Sequence, residues 1–321
     1  MIENLNNRLI KYQDLIPSKK PFVESKLEGH KDRSVYSIIG PGVTEELKGI
    51  SVTEAHGFNL GGVDTAPDNG SSLHSHTTAE VFLIHKGPWK FFWGVNGEDG
   101  EVILNKGDVV SFPTNMFRGF NNVGSERSVM YTILGRDDPG VITWSPDVLK
   151  KAKNTGMILL KDNSIVDTTL EKIPENKSIL APLNDEEVKT FDKYKPEDIE
   201  KCIIRYQDLQ SNNISGTDKN FISYIENFYI DNKTFKPMIS HNELGFTFGA
   251  VFGKKFSLKN FYSLDTHEIY IPLEGSWKVY CEDQEIVINP MDTFSVPVKS
   301  KRRFENLDDN GFMYIVREKI D

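Results

Sequence analysis

A seven-residue phrase occurs twice in this chain, as GFNLGGV at 57–63 and as GFTFGAV at 245–251. The same spacing lays Glu80 on Glu268, Gly87 on Gly275 and Trp89-Lys90 on Trp277-Lys278 without a gap. Further on, NKGDVVSFP at 105–113 answers NPMDTFSVP at 289–297, after a hairpin loop that is shorter in the second copy. Upstream, IKYQDL at 10–15 answers IRYQDL at 204–209. Changes of length fall in turns while the apolar segments keep register, which is the mark of a duplicated domain. A chain of 321 residues has room for two such domains. The repeat divides it into 1–135, a connector over 136–203, and 204–321.

Each copy reads as short strands with period-2 alternation, punctuated by Gly, Asn, Asp and Pro. In PWKFFWG, Trp89, Phe91 and Trp93 share one face and Lys90 and Phe92 the other. The second copy repeats this with Trp277, Val279 and Cys281 against Lys278 and Tyr280. The Trp face is expected to be a barrel interior, and twenty Phe with eleven Tyr suit an all-β fold. The connector differs. WSPDVLKKAKNTG offers Ser145 as an N-cap, Pro146 at the first helical position and Gly156 as a stop. NDEEVKTFDKY and KPEDIEKC predict two more short helices, and the apolar 158–160 is expected to pack on a barrel.

The formal net charge of −9 excludes a nucleic-acid-binding surface, since the basic run Lys299–Arg303 is a single short loop. The first residues, MIENLNNRLI, lack a signal peptide's apolar centre, and no stretch is apolar for long enough to span a membrane. Two cysteines, Cys202 and Cys281, read as reduced thiols of a cytoplasmic protein rather than a disulfide framework.

Chemistry concentrates in HSHTTAEVFLIHKG at 74–87. His74 and His76 lie two apart on a strand, so both side chains leave from one face. Glu80 returns to that face if Thr77–Ala79 form a bend. Two imidazoles and a carboxylate suit a divalent transition metal: Fe(II), Mn(II), Ni(II), Cu(II) or Zn(II). The equivalent positions in the second copy are Tyr262, Leu264 and Glu268, which predicts a metal-free barrel. His267 has the wrong parity and is expected at the surface. His85 is an odd number of residues from Glu80 and is expected to face away from it, and His56 reads as a hydrogen-bonded structural residue.

The pattern H-x-H-x3-E-x6-G at His74, His76, Glu80 and Gly87 resembles the first motif of the cupin family. Of the family's second motif, Gly107, Pro113 and Asn122 are in place, while Asn115 stands for a glycine and Arg118 for a histidine. The resemblance covers roughly 10–135 and 204–317, implying a bicupin: two tandem jelly-roll barrels joined by a partly helical connector. A guanidinium cannot ligate a cation. Arg118, repeated as Arg302, therefore either pairs with an acid such as Glu80 or binds and orients an anionic substrate as a bidentate fork. With Arg118 in place of the histidine, two His and one carboxylate remain, the set used by non-haem Fe(II) oxygenases. One metal-bearing and one degenerate barrel also resemble the architecture of gentisate-type ring-cleaving dioxygenases, with a different ligand pattern. The expectation is an Fe(II) dioxygenase using O2 on a small organic acid or aromatic compound, with Phe91 and Trp93 lining the substrate pocket. The alternatives are a metal-dependent isomerase, lyase or decarboxylase of a small carboxylate, and a non-catalytic small-molecule binding protein. A second copy of the chain, forming a homodimer, is the macromolecular partner the architecture allows.

Overall fold

A computed structural model describes residues 4–18, 21–45, 49–210, 220–230, 232–239 and 245–319. The first copy forms ten strands: β1 (Arg33–Ile39), β2 (Phe58–Thr65), β3 (Gly70–His76), β4 (Glu80–Lys86), β5 (Trp89–Trp93), β6 (Gly100–Leu104), β7 (Val109–Phe112), β8 (Arg118–Asn122), β9 (Ser128–Gly135) and β10 (Ile142–Trp144). They make two facing sheets, ordered β7-β4-β9-β2-β1 and β10-β3-β8-β5-β6. The second copy repeats the plan with β11 (Phe221–Ile225), β12 (Phe246–Gly253), β13 (Glu268–Glu274), β14 (Trp277–Cys281), β15 (Gln284–Ile288), β16 (Thr293–Val296), β17 (Arg302–Asn306) and β18 (Gly311–Glu318). Its sheets run β16-β13-β18-β12-β11 and β15-β14-β17, matching the first copy strand for strand. The exceptions are β3, whose equivalent around Tyr262 makes only isolated bridges such as Tyr262 to Arg302, and β10, which belongs to the connector and has no counterpart among the described residues of the second copy's sheets.

Alternation assigns each strand's faces. In β5, Trp89, Phe91 and Trp93 are buried and the residues between them half-buried, so the Trp face is the barrel interior as expected. In β4 both faces are buried. Phe82 and Ile84 point into the first barrel's core, while Val81 and Leu83 join a core shared with Ile269, Ile271, Phe248 and Tyr314 of the second barrel. Each such apolar side chain taken fully out of water contributes roughly 1.5–3 kcal/mol, so the seam is a core and not a surface contact.

The repeated IKYQDL and IRYQDL segments cross over. Leu9–Ile10 pairs with β16 of the second barrel, Ile10 opposite Thr293. Ile203–Ile204 pairs with β7 of the first, Ile204 opposite Val109. Thr293 and Val109 are equivalent in the repeat, so the exchange is reciprocal. The expected division at 135 and 204 therefore follows the sequence copies but not the sheets. Each barrel's edge is completed by the strand that leads into the other copy, which covers backbone groups an open edge would expose.

The connector contains α1 (Pro146–Asn154), α2 (Asp185–Val188) and α3 (Pro196–Glu200), as expected. Pro146 opens α1, but Ser145 makes no side-chain cap; the reciprocal capping box falls at Asn184 and Glu187 of α2. Ile158 and Leu160 are buried in a small cluster with Val166. Among the described residues, no helix is long and apolar enough to cross a membrane.

Candidate metal centre

His74 and His76 end β3, residues 77–79 bend the chain back, and Glu80 opens β4. The three side chains converge inside the first barrel, buried, with one ligand atom from each lying within 4.8 Å of the others. The arrangement is held from behind. Arg33 Nη1 donates to the fully buried Glu24 at 2.6 Å, and Glu24 accepts from the Ser72 amide at 2.7 Å. The Ser72 carbonyl in turn accepts from His74 Nδ1 at 2.7 Å. Since a carbonyl only accepts, Nδ1 carries the proton and Nε2 keeps its lone pair free for the cavity side, as in a metal-ligating histidine fixed by its other nitrogen. Trp144 of β10 stands directly across from His74 and packs on its ring at 5.4 Å.

His76 is the telling residue. Both of its ring nitrogens are buried and have no hydrogen-bond partner among the described residues, and Nε2 is 3.6 Å from Glu80 Oε2. An unpaired buried polar group costs about 1–3 kcal/mol, a deficit that a ligand can relieve. Burial, then the nearby Arg118 charge, pulls His74 down to about 3 and His76 well below the usual histidine range. Both are thus held neutral, the form that ligates. Burial pushes the Glu80 carboxyl up, and Arg118 opposes it. Two neutral imidazoles and a carboxylate, dry and convergent, fit a divalent transition ion.

Arg118 lies opposite His74 in the β3–β8 register. Its Nη2 donates to Glu80 Oε2 at 2.5 Å and its Nη1 to the Met116 carbonyl at 3.4 Å. Of the two roles open to it from sequence, pairing with Glu80 is the one the geometry places; it is not among the residues lining the adjoining cavity.

That cavity, about 60 Å³, opens from His74, His76 and Glu80 between β1, β2 and the 41–44 loop. Phe91 and Trp93, expected on its wall, are not there. Phe91 packs against Phe82 and Phe112, and Trp93 Nε1 donates to the Tyr194 carbonyl at 2.9 Å, so both belong to the core behind that wall. The aromatic wall is made instead by Phe22, Phe82 and Phe120. Phe22 and the 41–44 loop precede the repeated phrase and carry no periodic signal that would have marked them.

In the second barrel the equivalent space is filled from within. Glu268 accepts from Arg317 Nε at 2.5 Å, Arg302 Nε at 3.0 Å, Tyr262 Oη at 3.0 Å and Tyr270 Oη at 2.9 Å. Burial alone would raise this carboxyl, but Arg317 and Arg302 hold it below its usual range. Tyr262, standing where His74 does, serves as a hydrogen-bond donor.

The other histidines resolve simply. His85 faces the second barrel, 3.3 Å from the Pro272 carbonyl. His56 lies between the Glu54 carbonyl and Ser295 Oγ, both at 2.8 Å, so its two nitrogens are engaged. His267, expected at the surface, is half-buried against His56, with ring centroids 4.3 Å apart. With Glu54 these two form a second potential ligand group, at the seam between barrels.

A family model described as a cupin domain matches residues 63–134, which contain the three converging side chains. The chain has the two-barrel fold of the bicupin structures, and its first barrel matches the cupin domain model. The chain is 29% identical over 124 residues to germin-like protein subfamily 1 member 10 of Arabidopsis thaliana. It is 32% identical over 120 residues to a germin-like protein of Mesembryanthemum crystallinum. The matches cover 36% and 32% of this chain, and about half the length of those relatives (54% and 52%). Among solved structures, an oxalate decarboxylase–formate complex from Lactobacillus farciminis superposes with TM-score 0.56 at 15% identity, covering 100% of this chain and 88% of that one. A Bacillus subtilis oxalate decarboxylase variant gives 0.55 at 12%, with 100% and 79% covered. Hazelnut vicilin, from Corylus avellana, gives 0.51 at 14%, with 98% and 86% covered. These likenesses establish the fold of the chain, one plan shared by proteins with different names.

Proposed function

We propose that this cupin is a metal-dependent enzyme acting on a small carboxylate, with lyase or decarboxylase chemistry in the first barrel. His74, His76 and Glu80 would hold one divalent transition ion, with Mn(II) and Fe(II) the leading candidates. A metal so held supplies Lewis-acid polarisation of a bound carboxylate or carbonyl. The observation that carries this reading is His76: a buried imidazole with both nitrogens unpartnered, beside a neutral His74 and a carboxylate. Arg118 is a positioning residue, orienting Glu80 through Oε2. The apolar cavity wall excludes water, and the second barrel, closed by its own arginines, contributes packing. Support for a carboxylate substrate comes from the structural neighbours, whose names record oxalate decarboxylation and a bound formate.

A second reading, an Fe(II) dioxygenase, draws on the two-histidine, one-carboxylate donor set. One experiment addresses both. Protein purified without chelators and reconstituted with Mn(II) or Fe(II) is assayed for metal content, then for turnover of candidate carboxylates with and without O2. Anaerobic turnover supports the lyase reading, and strict coupling to O2 consumption supports the dioxygenase. Fewer than about one metal per ten chains after reconstitution would remove both.

A further inference from the structure

We infer that the substrate of the first barrel is a compact monocarboxylate with a short apolar body, and not a dicarboxylate whose second group extends past the metal. This rests on the reading of His74, His76 and Glu80 as a carboxylate-handling metal site. It comes from what surrounds them. The cavity wall beyond the three ligands includes Phe22, Val35, Val63, Phe82, Phe120 and Leu134. A carboxylate bound at the metal would have its charge met there. A second carboxylate beyond chelating reach of the ion would project among these side chains, and a buried ion without a partner is strongly disfavoured.

The polar groups on the wall do not offer that partner. Ser37 Oγ and Thr44 Oγ1 donate to the Pro41 carbonyl, at 3.1 and 3.3 Å, and Ser71 Oγ donates to Glu24 at 2.9 Å. Three hydroxyl protons are thus committed to the protein's own acceptors. The cation nearest the ligands, Arg118, gives its Nη2 to Glu80 and its Nη1 to Met116. Its buried Nε, without a partner among the described residues, does not reach the cavity, since Arg118 is not on the wall. Tyr36 turns its phenol to Tyr12 in the inter-barrel core, which leaves Thr132 as the remaining hydroxyl on the wall. One neutral donor does not compensate a desolvated carboxylate, which takes two or three hydrogen bonds or a cation to hold its charge. A pair of methyl groups in the same place gains from burial. Size points the same way: about 60 Å³ is room on the order of five waters. Gly61, on the wall opposite Thr132, keeps that room open, because a Cβ there would come within 2.9 Å of Thr132 Oγ1.

The test compares two ligands of similar size on Co(II)-loaded protein, reading the visible bands of the bound ion. Isovalerate ends in two methyl groups, while succinate ends in a second carboxylate set too far along the chain to close a six-membered ring on the ion. Isovalerate is expected to shift the bands with at least tenfold higher affinity than succinate. Thr132→Lys, which gives the wall a cation with a flexible stem, is expected to narrow that ratio at least fivefold by improving succinate. Succinate binding as tightly as isovalerate to the unaltered protein would overturn the inference. So would bands that neither ligand shifts. Absence of Co(II) bands at the outset is a separate result, and it overturns the metal reading on which the inference stands.

Discussion

Replacing Glu268 with Gln tests whether the second barrel is closed by charge, as its geometry implies. The carboxylate is fully buried and accepts from two guanidinium Nε–H groups, at 2.5 and 3.0 Å, and from two phenols, at 2.9 and 3.0 Å. Glutamine keeps the shape but removes the charge, and turns one acceptor oxygen into a donor that faces other donors. Arg302 and Arg317 cannot shed their protons, so both remain as uncompensated buried cations. Stacking of Arg317 on Phe228 at 4.1 Å and of Arg302 on Tyr262 at 4.8 Å survives and limits the damage. Breaking a buried pair costs about 3–5 kcal/mol, and the upper half of that range is expected here because two arginines lose one partner. Denaturant unfolding at pH 7.5 measures it, the shared inter-barrel core making a single transition the expectation. The pH dependence supplies a check of sign. Glu268 is held below its ordinary value of 4.5, so its stabilisation is complete above that value and drains as pH falls through the folded one. The gap between the two proteins should be flat from pH 8 to 5.5 and narrow only below 4.5. A gap under about 1 kcal/mol at pH 7.5, or one that already shrinks between pH 8 and 5.5, would refute the reasoning.

Three other outcomes are expected. His76→Ala should abolish tight Mn(II) binding in calorimetry while Tyr262→Ala leaves it unchanged; equal losses would move the metal elsewhere. Arg118→Leu removes a full charge 2.5 Å from Glu80. It should lower metal-free stability by about 3 kcal/mol and weaken Mn(II) binding at least tenfold as Glu80 loses its orienting donor, whereas tighter binding would mean that Arg118 opposes the ion by charge and does not position its ligand. Proline removes a ladder donor. Ile10→Pro should therefore reduce amide-exchange protection at Thr293–Val296, and Ile204→Pro should do so at Val109–Phe112, each in the barrel of the other copy; losses confined to the mutated copy's own barrel would contradict the exchange.

Much of this molecule is legible in its sequence, and the limits have physical causes. Alternation identifies the interior face of β5, because side-chain parity along a strand admits two answers and Trp89, Phe91 and Trp93 choose one. Parity says nothing about which part of the interior a strand's side chains fill. That is why Phe91 and Trp93 are interior as expected yet pack behind the cavity wall, in register with Phe120 and Arg118. His74, His76 and Glu80 were readable because their spacing needs one bend at 77–79, and the bend is there. Arg118 stands out by the motif position it takes, but only three-dimensional distance shows that it pairs with Glu80. The crossing strands were hidden for another reason: two residues such as Leu9–Ile10 have no period, and nothing local tells which sheet they will join.

The reciprocal exchange also constrains how the chain is made. During synthesis the first barrel emerges complete in its own copy, yet with the outer edge of β7 unpaired until Ile203–Ile204 leaves the ribosome. The segment that will edge the second barrel has emerged long before, and waits for a partner strand some 280 residues behind it. Neither half therefore matures alone. A break in the connector would leave two fragments each holding the other's missing edge, and they should recover the fold only on meeting.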